Sequence, residues 1–164
     1  GTQDSPYPAM AKALNISKRV HFLGYRRDMP QIQRASDLFV FPSRYEPFGL
    51  VVIEAMASGL PVITATTTGA ADLVNPDCGI VLDDCDDVNA LADALGLLNS
   101  DRSLRQQMGK VARTIAEQHS WSTMAQTYLN IFEELITHEK HSSHPHLSPS
   151  SRPSPLSEST ATAN

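Results

Sequence analysis

Little in this chain would cross-link it or anchor it: two cysteines and one tryptophan in 164 residues, 6% aromatic residues, and no apolar run near the length of a membrane span. So few cysteines exclude a disulfide scaffold. Cys78 and Cys85 flank a short apolar segment, which if extended holds them roughly 23 Å apart, beyond disulfide reach. Two reduced thiols fit a cytoplasmic protein. A basic excess is missing as well. The 13 Lys and Arg face 18 Asp and Glu, a formal net charge of -5, which removes the electrostatic case for a nucleic-acid partner. No secretory signal is recognisable.

Large apolar residues nearly vanish after Lys140, where Ser, Pro, His and Thr take over. That composition buries too little surface to offset its ordering entropy, so 141–164 is expected to be a disordered tail. His141, His144 and His146 would bind a metal there only incidentally, without fixed geometry.

The body, by contrast, alternates. Val20 to Leu23, Leu38 to Phe41, Val62 to Ala65 and Ile80 to Leu82 are short apolar runs separated by helical stretches, the pattern of an α/β domain with a parallel sheet and right-handed crossovers. Val88, Leu91, Ala92, Leu95 and Leu98 repeat at helical spacing, with Asp86 or Asp87 placed to cap them. Asp101 caps the next predicted helix, whose inner face is Leu104, Met108, Val111 and Ile115. Trp121 opens a last one carrying Met124, Tyr128, Leu129, Phe132 and Leu135. Asp83, Asp84, Asp86 and Asp87 read as a solvated loop ending in a cap rather than as a metal site. The domain is expected over 20–140, with 1–19 the remnant of a preceding loop and helix.

Glu46 and Glu54 stand eight residues apart in Glu46-Pro47-Phe48-Gly49-Leu50-Val51-Val52-Ile53-Glu54. The strand Leu38 to Phe41 precedes them, and Pro42, Ser43 and Pro47 break the backbone before Gly49 opens a helix. The pair therefore belongs at a strand's C-terminal end, where open α/β sheets bind ligands. The helix start offers unpaired amides, from Gly49 and Leu50, and a positive dipole end suited to phosphate. Glu54, about a turn and a half along the helix, suits a vicinal diol such as ribose. Glu46 would face what lies beyond the phosphates. Spacing alone leaves open a plainer reading of both as surface acids, one favoured by the helix dipole.

The string Pro42-Ser43-Arg44-Tyr45-Glu46-Pro47-Phe48-Gly49-Leu50-Val51-Val52-Ile53-Glu54-Ala55-Met56-Ala57-Ser58-Gly59-Leu60-Pro61-Val62-Ile63 resembles the donor-binding motif of retaining GT-B glycosyltransferases. The resemblance runs from about Val20 to Leu135. Val20-His21-Phe22-Leu23-Gly24-Tyr25 looks like the family's strand beside the nucleobase, and Gly69 like the start of its glycine-containing turn.

The resemblance implies a Rossmann-like parallel sheet flanked by helices, one half of a GT-B fold. It implies a nucleoside-diphosphate sugar, UDP- or GDP-linked, held by Glu46, Phe48, Gly49, Leu50 and Glu54. Glu46 would touch the sugar and serve catalysis, Glu54 the ribose, with no metal and no cofactor. Acceptors would be hydroxyls, often lipid-linked at the inner membrane face and served by the other half of the enzyme. The last helix would cross to that half.

Two departures stand out. The Arg and Lys that neutralise the donor diphosphate in the family have no counterpart in Gly1 to Lys18, which implies that Gly1 is not the natural start. Ala70 replaces a second glycine after Gly69. A non-catalytic nucleotide-sugar-binding or partner-binding module, and a GT-B relative such as an epimerase or phosphorylase, are the alternatives. Arg26 and Arg27 are expected to be solvated loop residues.

Overall fold

Three short strands, β1 (Phe39–Phe41), β2 (Val62–Ala65) and β3 (Gly79–Leu82), form a parallel sheet in the order β1-β2-β3. The structure is a computed structural model that describes residues 5–141. Val40 is in register with Ile63, and Ile63 with Ile80. Every residue of the central strand is buried, so its run is apolar except at Thr64, whose hydroxyl donates to the Phe41 carbonyl at 3.0 Å.

Side chains alternate across a strand, so β2 serves two cores. On one face Val62 packs among Val52, Ala55 and Met56 of α3 (Leu50–Ala57) and Ala112 and Ala116 of α5 (Arg102–Gln118). On the other, Ile63 and Ala65 meet Ala94 and Leu98 of α4 (Val88–Ser100) together with Met108. A parallel sheet covered on both faces needs such unbroken apolar strands. In α3 the spacing Val52, Ala55, Met56 puts all three on one helix face, while Glu54 is left exposed. Met56 is fully buried, and replacing it by Ala should cost about 2–5 kcal/mol.

The helix caps fall where the acids suggested. Asp87 accepts from the amides of Asn89 at 3.0 Å and Ala90 at 2.9 Å, and Asp101 from that of Leu104 at 2.9 Å. The last helix, α6 (Trp121–His141), begins after Ser120, whose hydroxyl accepts from the Thr123 amide at 3.1 Å.

One expected strand is absent. Val20 to Leu23 forms no strand, and Phe22 and Leu23 are 54% and 55% exposed. A strand exists only through its ladder, and no described strand pairs with this segment. It connects two short helices instead, α1 (Tyr7–Ala13) and α2 (Met29–Arg34).

The chain divides into two compact units, residues 1–124 and 125–164. The described part of the second is the greater part of α6. It exposes Tyr128, Leu129, Phe132, Leu135 and Ile136, with the rings of Tyr128 and Phe132 stacked at 6.4 Å. Of the expected tail, His141 is the last residue of α6, and 142–164, with His144 and His146, lies outside the described residues. No helix among the described residues is long and apolar enough to cross a membrane.

Candidate functional site

The loop that leaves the C-terminal end of β1 and enters α3 is fastened to the turn that follows β2. The Glu46 amide donates to the Thr67 carbonyl at 3.3 Å, and the Gly69 amide donates to the Glu46 carbonyl at 2.8 Å. Together these make an isolated parallel bridge between Glu46 and Thr68. The Thr67 hydroxyl adds a bond to the Ser43 carbonyl, and the Thr66 hydroxyl reaches the Asp83 carbonyl beyond β3 at 3.0 Å. Close approach requires glycine at 69, because a Cβ there would stand 2.0 Å from the Pro47 carbonyl oxygen.

Gly49 caps α3 in the left-handed region, at φ 73°, where residues with a Cβ are strained. A Cβ at this position would also meet Thr68 Cγ2 at 2.8 Å and Ala70 Cβ at 2.9 Å. Ala70, the residue in place of a second glycine, is buried in the 3-10 turn Gly69–Leu73. Its methyl group fits because Gly49 has none.

The Glu46 carboxylate folds back onto its own loop. Its Oε1 accepts from the Gly49 amide at 3.1 Å and from the Phe48 amide at 3.3 Å. Of the two amides expected to face a phosphate, that of Gly49 is thus engaged. The first amides of a helix have no intrahelical acceptor, and those of Leu50 and Val51 have no acceptor among the described residues. They lie at the positive end of α3.

Phe48 is 77% exposed and Leu50 half-exposed beside these amides. Glu54 is exposed, and its carboxylate has no hydrogen bond or ion pair among the described residues. One end of the sheet thus gathers two free amides, a carboxylate held through a single oxygen and a second unpaired carboxylate. Such a set can hold a phosphate and accept hydrogen bonds from hydroxyls on either side of it.

Arg44 lies on the same loop. Its Nε and Nη2 reach Asp86 Oδ1 at 3.0 and 2.9 Å, and this hydrogen bond and charge raise the guanidinium pKa above its ordinary value. Arg26 is engaged by Asp28, at 2.6 Å. Asp84, Cys85 and Asp86 cluster within 4.8 Å, but Asp84 Oδ1 accepts from the Asp86 amide and Asp86 holds Arg44. Thr66, Thr67 and Thr68 form a polar run directly after β2, at the C-terminal end of the sheet where open α/β folds bind ligands, a signal the motif of Glu46 and Glu54 does not include.

The model of the glycosyl transferases group 1 family matches residues 1–115. A D-inositol 3-phosphate glycosyltransferase of Corynebacterium jeikeium is 38% identical over 128 residues, which cover 77% of this chain and 30% of that protein. The chain thus spans about 30% of the length of this curated relative. Among solved structures, sucrose-phosphate synthase from Thermosynechococcus elongatus matches with a TM-score of 0.73 and 30% identity, over 84% of this chain and 37% of that one. Anabaena Alr3699/HepE in complex with UDP-glucose matches with a TM-score of 0.71 and 31% identity, over 82% of this chain and 38% of the other. The chain belongs to the group 1 glycosyl transferases, and its parallel sheet flanked by helices is one half of their GT-B fold.

Proposed function

We propose that this chain is the donor-binding half of a retaining glycosyltransferase that moves a sugar from a UDP- or GDP-linked donor to a hydroxyl acceptor. The observation that carries the reading is the start of α3, where the unpaired amides of Leu50 and Val51 lie between the carboxylates of Glu46 and Glu54 in the chain. The diphosphate rests on those amides, the ribose hydroxyls donate to Glu54, and the sugar lies beside Glu46 and Phe48. The UDP-glucose complex of the Anabaena relative supports a nucleotide-sugar donor.

As the bond to the diphosphate breaks, negative charge grows on the leaving group and positive character on the sugar ring. The positive end of α3 stabilises the first, and the Glu46 carboxylate the second. Two amides hold Glu46 through Oε1, which leaves Oε2 for a sugar hydroxyl and settles the rotamer before the donor arrives. The reaction needs no metal and no cofactor beyond the donor. The acceptor, a hydroxyl compound, binds to the other half of a longer cytoplasmic enzyme.

Calorimetric titration of the chain with UDP, GDP and UDP-glucose tests this. Saturable binding of at least one nucleoside diphosphate is expected, weakened about tenfold to a hundredfold by Glu54→Ala with no loss of Tm. Absence of saturable binding by UDP and by GDP at millimolar concentration removes the reading.

A further inference from the structure

Thr67 is joined to the loop after β1 at two points. Its hydroxyl donates to the Ser43 carbonyl, and its carbonyl accepts from the Glu46 amide at 3.3 Å. One residue thus grips both ends of Ser43-Arg44-Tyr45-Glu46. Packing does not hold the span between them: Tyr45 is 81% exposed, and the ion pair of Arg44 with Asp86 lies in solvent, where such pairs contribute little. Thr67 is itself exposed, so burial does not force its hydroxyl onto a protein partner.

The neighbours of Thr67 make it a fixed point. Before it, Thr66 is tied to the end of β3 twice, its amide donating to the Leu82 carbonyl and its hydroxyl to the Asp83 carbonyl, both at 3.0 Å. After it, the Thr68 amide donates to the Ala65 carbonyl at 2.9 Å. The position of the Glu46 loop is therefore passed on from β2 and β3 through Thr67. The start of α3 is held differently, by Val52 and Met56 packed in the core, and does not depend on this hydroxyl.

We infer that Thr67 is a positioning residue for the transfer reaction: its hydroxyl, through Ser43, fixes the loop that presents the Glu46 carboxylate to the donor sugar. The inference rests on the role proposed for Glu46 and adds the residue on which the placement of that carboxylate depends. A misplacement of about 1 Å is enough to slow a reaction roughly a hundredfold. A nucleotide bound at the start of α3 would not register it.

The test compares Thr67→Val, Thr67→Ser and Glu46→Gln with the unaltered protein. In an enzyme carrying both halves, Thr67→Val should lower kcat about tenfold or more and leave the affinity for UDP or GDP unchanged, while Thr67→Ser, which keeps a hydroxyl, should retain kcat. In the 164-residue chain, hydrogen exchange at the Glu46 amide should quicken about tenfold in Thr67→Val and stay unaltered in Thr67→Ser. A wild-type kcat or unaltered exchange in Thr67→Val, beside a slowed Glu46→Gln enzyme, overturns the inference and leaves the proposed function standing. So does a loss of nucleotide affinity as large as the loss of kcat, or a Thr67→Ser enzyme as slow as Thr67→Val. A wild-type kcat for Glu46→Gln overturns the role proposed for Glu46 and this inference with it.

Discussion

The carbonyl of Glu46 accepts a 2.8 Å hydrogen bond from the amide of Gly69, which makes the loop that carries one acid of the motif and the turn after β2 a single unit. Because Glu46 sits on a bridge and not on a free loop, its position is set by β2, the most buried strand of the sheet.

Gly69→Ala should therefore break this unit. The added methyl would stand 2.0 Å from the Pro47 carbonyl oxygen and 3.2 Å from the Phe48 amide nitrogen, both backbone atoms, so the loop must move. A loss of about 1–3 kcal/mol is expected, with weakened nucleotide binding. Gly96, within α4, meets nothing within 4 Å, and Gly96→Ala should gain about 0.5–1 kcal/mol. Chemical denaturation of the two variants checks both signs.

The two thiols should differ in reactivity. Cys78 is fully buried, and burial pushes its pKa up, whereas Cys85 is partly exposed. Under native conditions a maleimide should label Cys85 alone, and labelling of both should require urea; mass spectrometry of labelled peptides decides it. A raised pKa in the folded state means that the stability Cys78 contributes is present below the unfolded thiol value. It is lost as pH rises past about 8.5. Cys78→Ala should remove that alkaline slope from Tm.

What could be read from the sequence follows from the range of the interactions. β2 and β3 were legible because a strand buried on both faces is a continuous apolar run, and Asp87 and Asp101 because a cap acts within three residues. Val20 to Leu23 has the same local pattern yet forms no strand, since pairing depends on a neighbour that no local pattern reveals. The motif located Glu46 and Glu54, but not the return of the Glu46 carboxylate onto the amides of Gly49 and Phe48, which is a matter of rotamer. Thr67 and Thr66 hold residues 24 and 17 positions away, links invisible to any local pattern.

Glu46 and Glu54 should separate by the part of the donor each touches. In an enzyme carrying both halves, Glu46→Gln should spare the affinity for UDP or GDP and lower kcat, because it keeps the shape and removes charge beside a ring that becomes positive in the transition state. Glu54→Gln should weaken the free nucleotide and the intact donor alike. Equal loss of nucleotide affinity in both variants, or a wild-type kcat for Glu46→Gln, contradicts the assignment.

The most direct measurement is the amide footprint of the nucleotide on the 164-residue chain by heteronuclear NMR. Titration with UDP or GDP should shift the amides of Leu50 and Val51 most, with smaller shifts at the neighbouring Gly49 and Phe48, and Glu54→Ala should require about tenfold more ligand for the same shifts. Saturable binding whose shifts fall elsewhere, with residues 48–51 unmoved, would contradict the placement of the diphosphate at the start of α3.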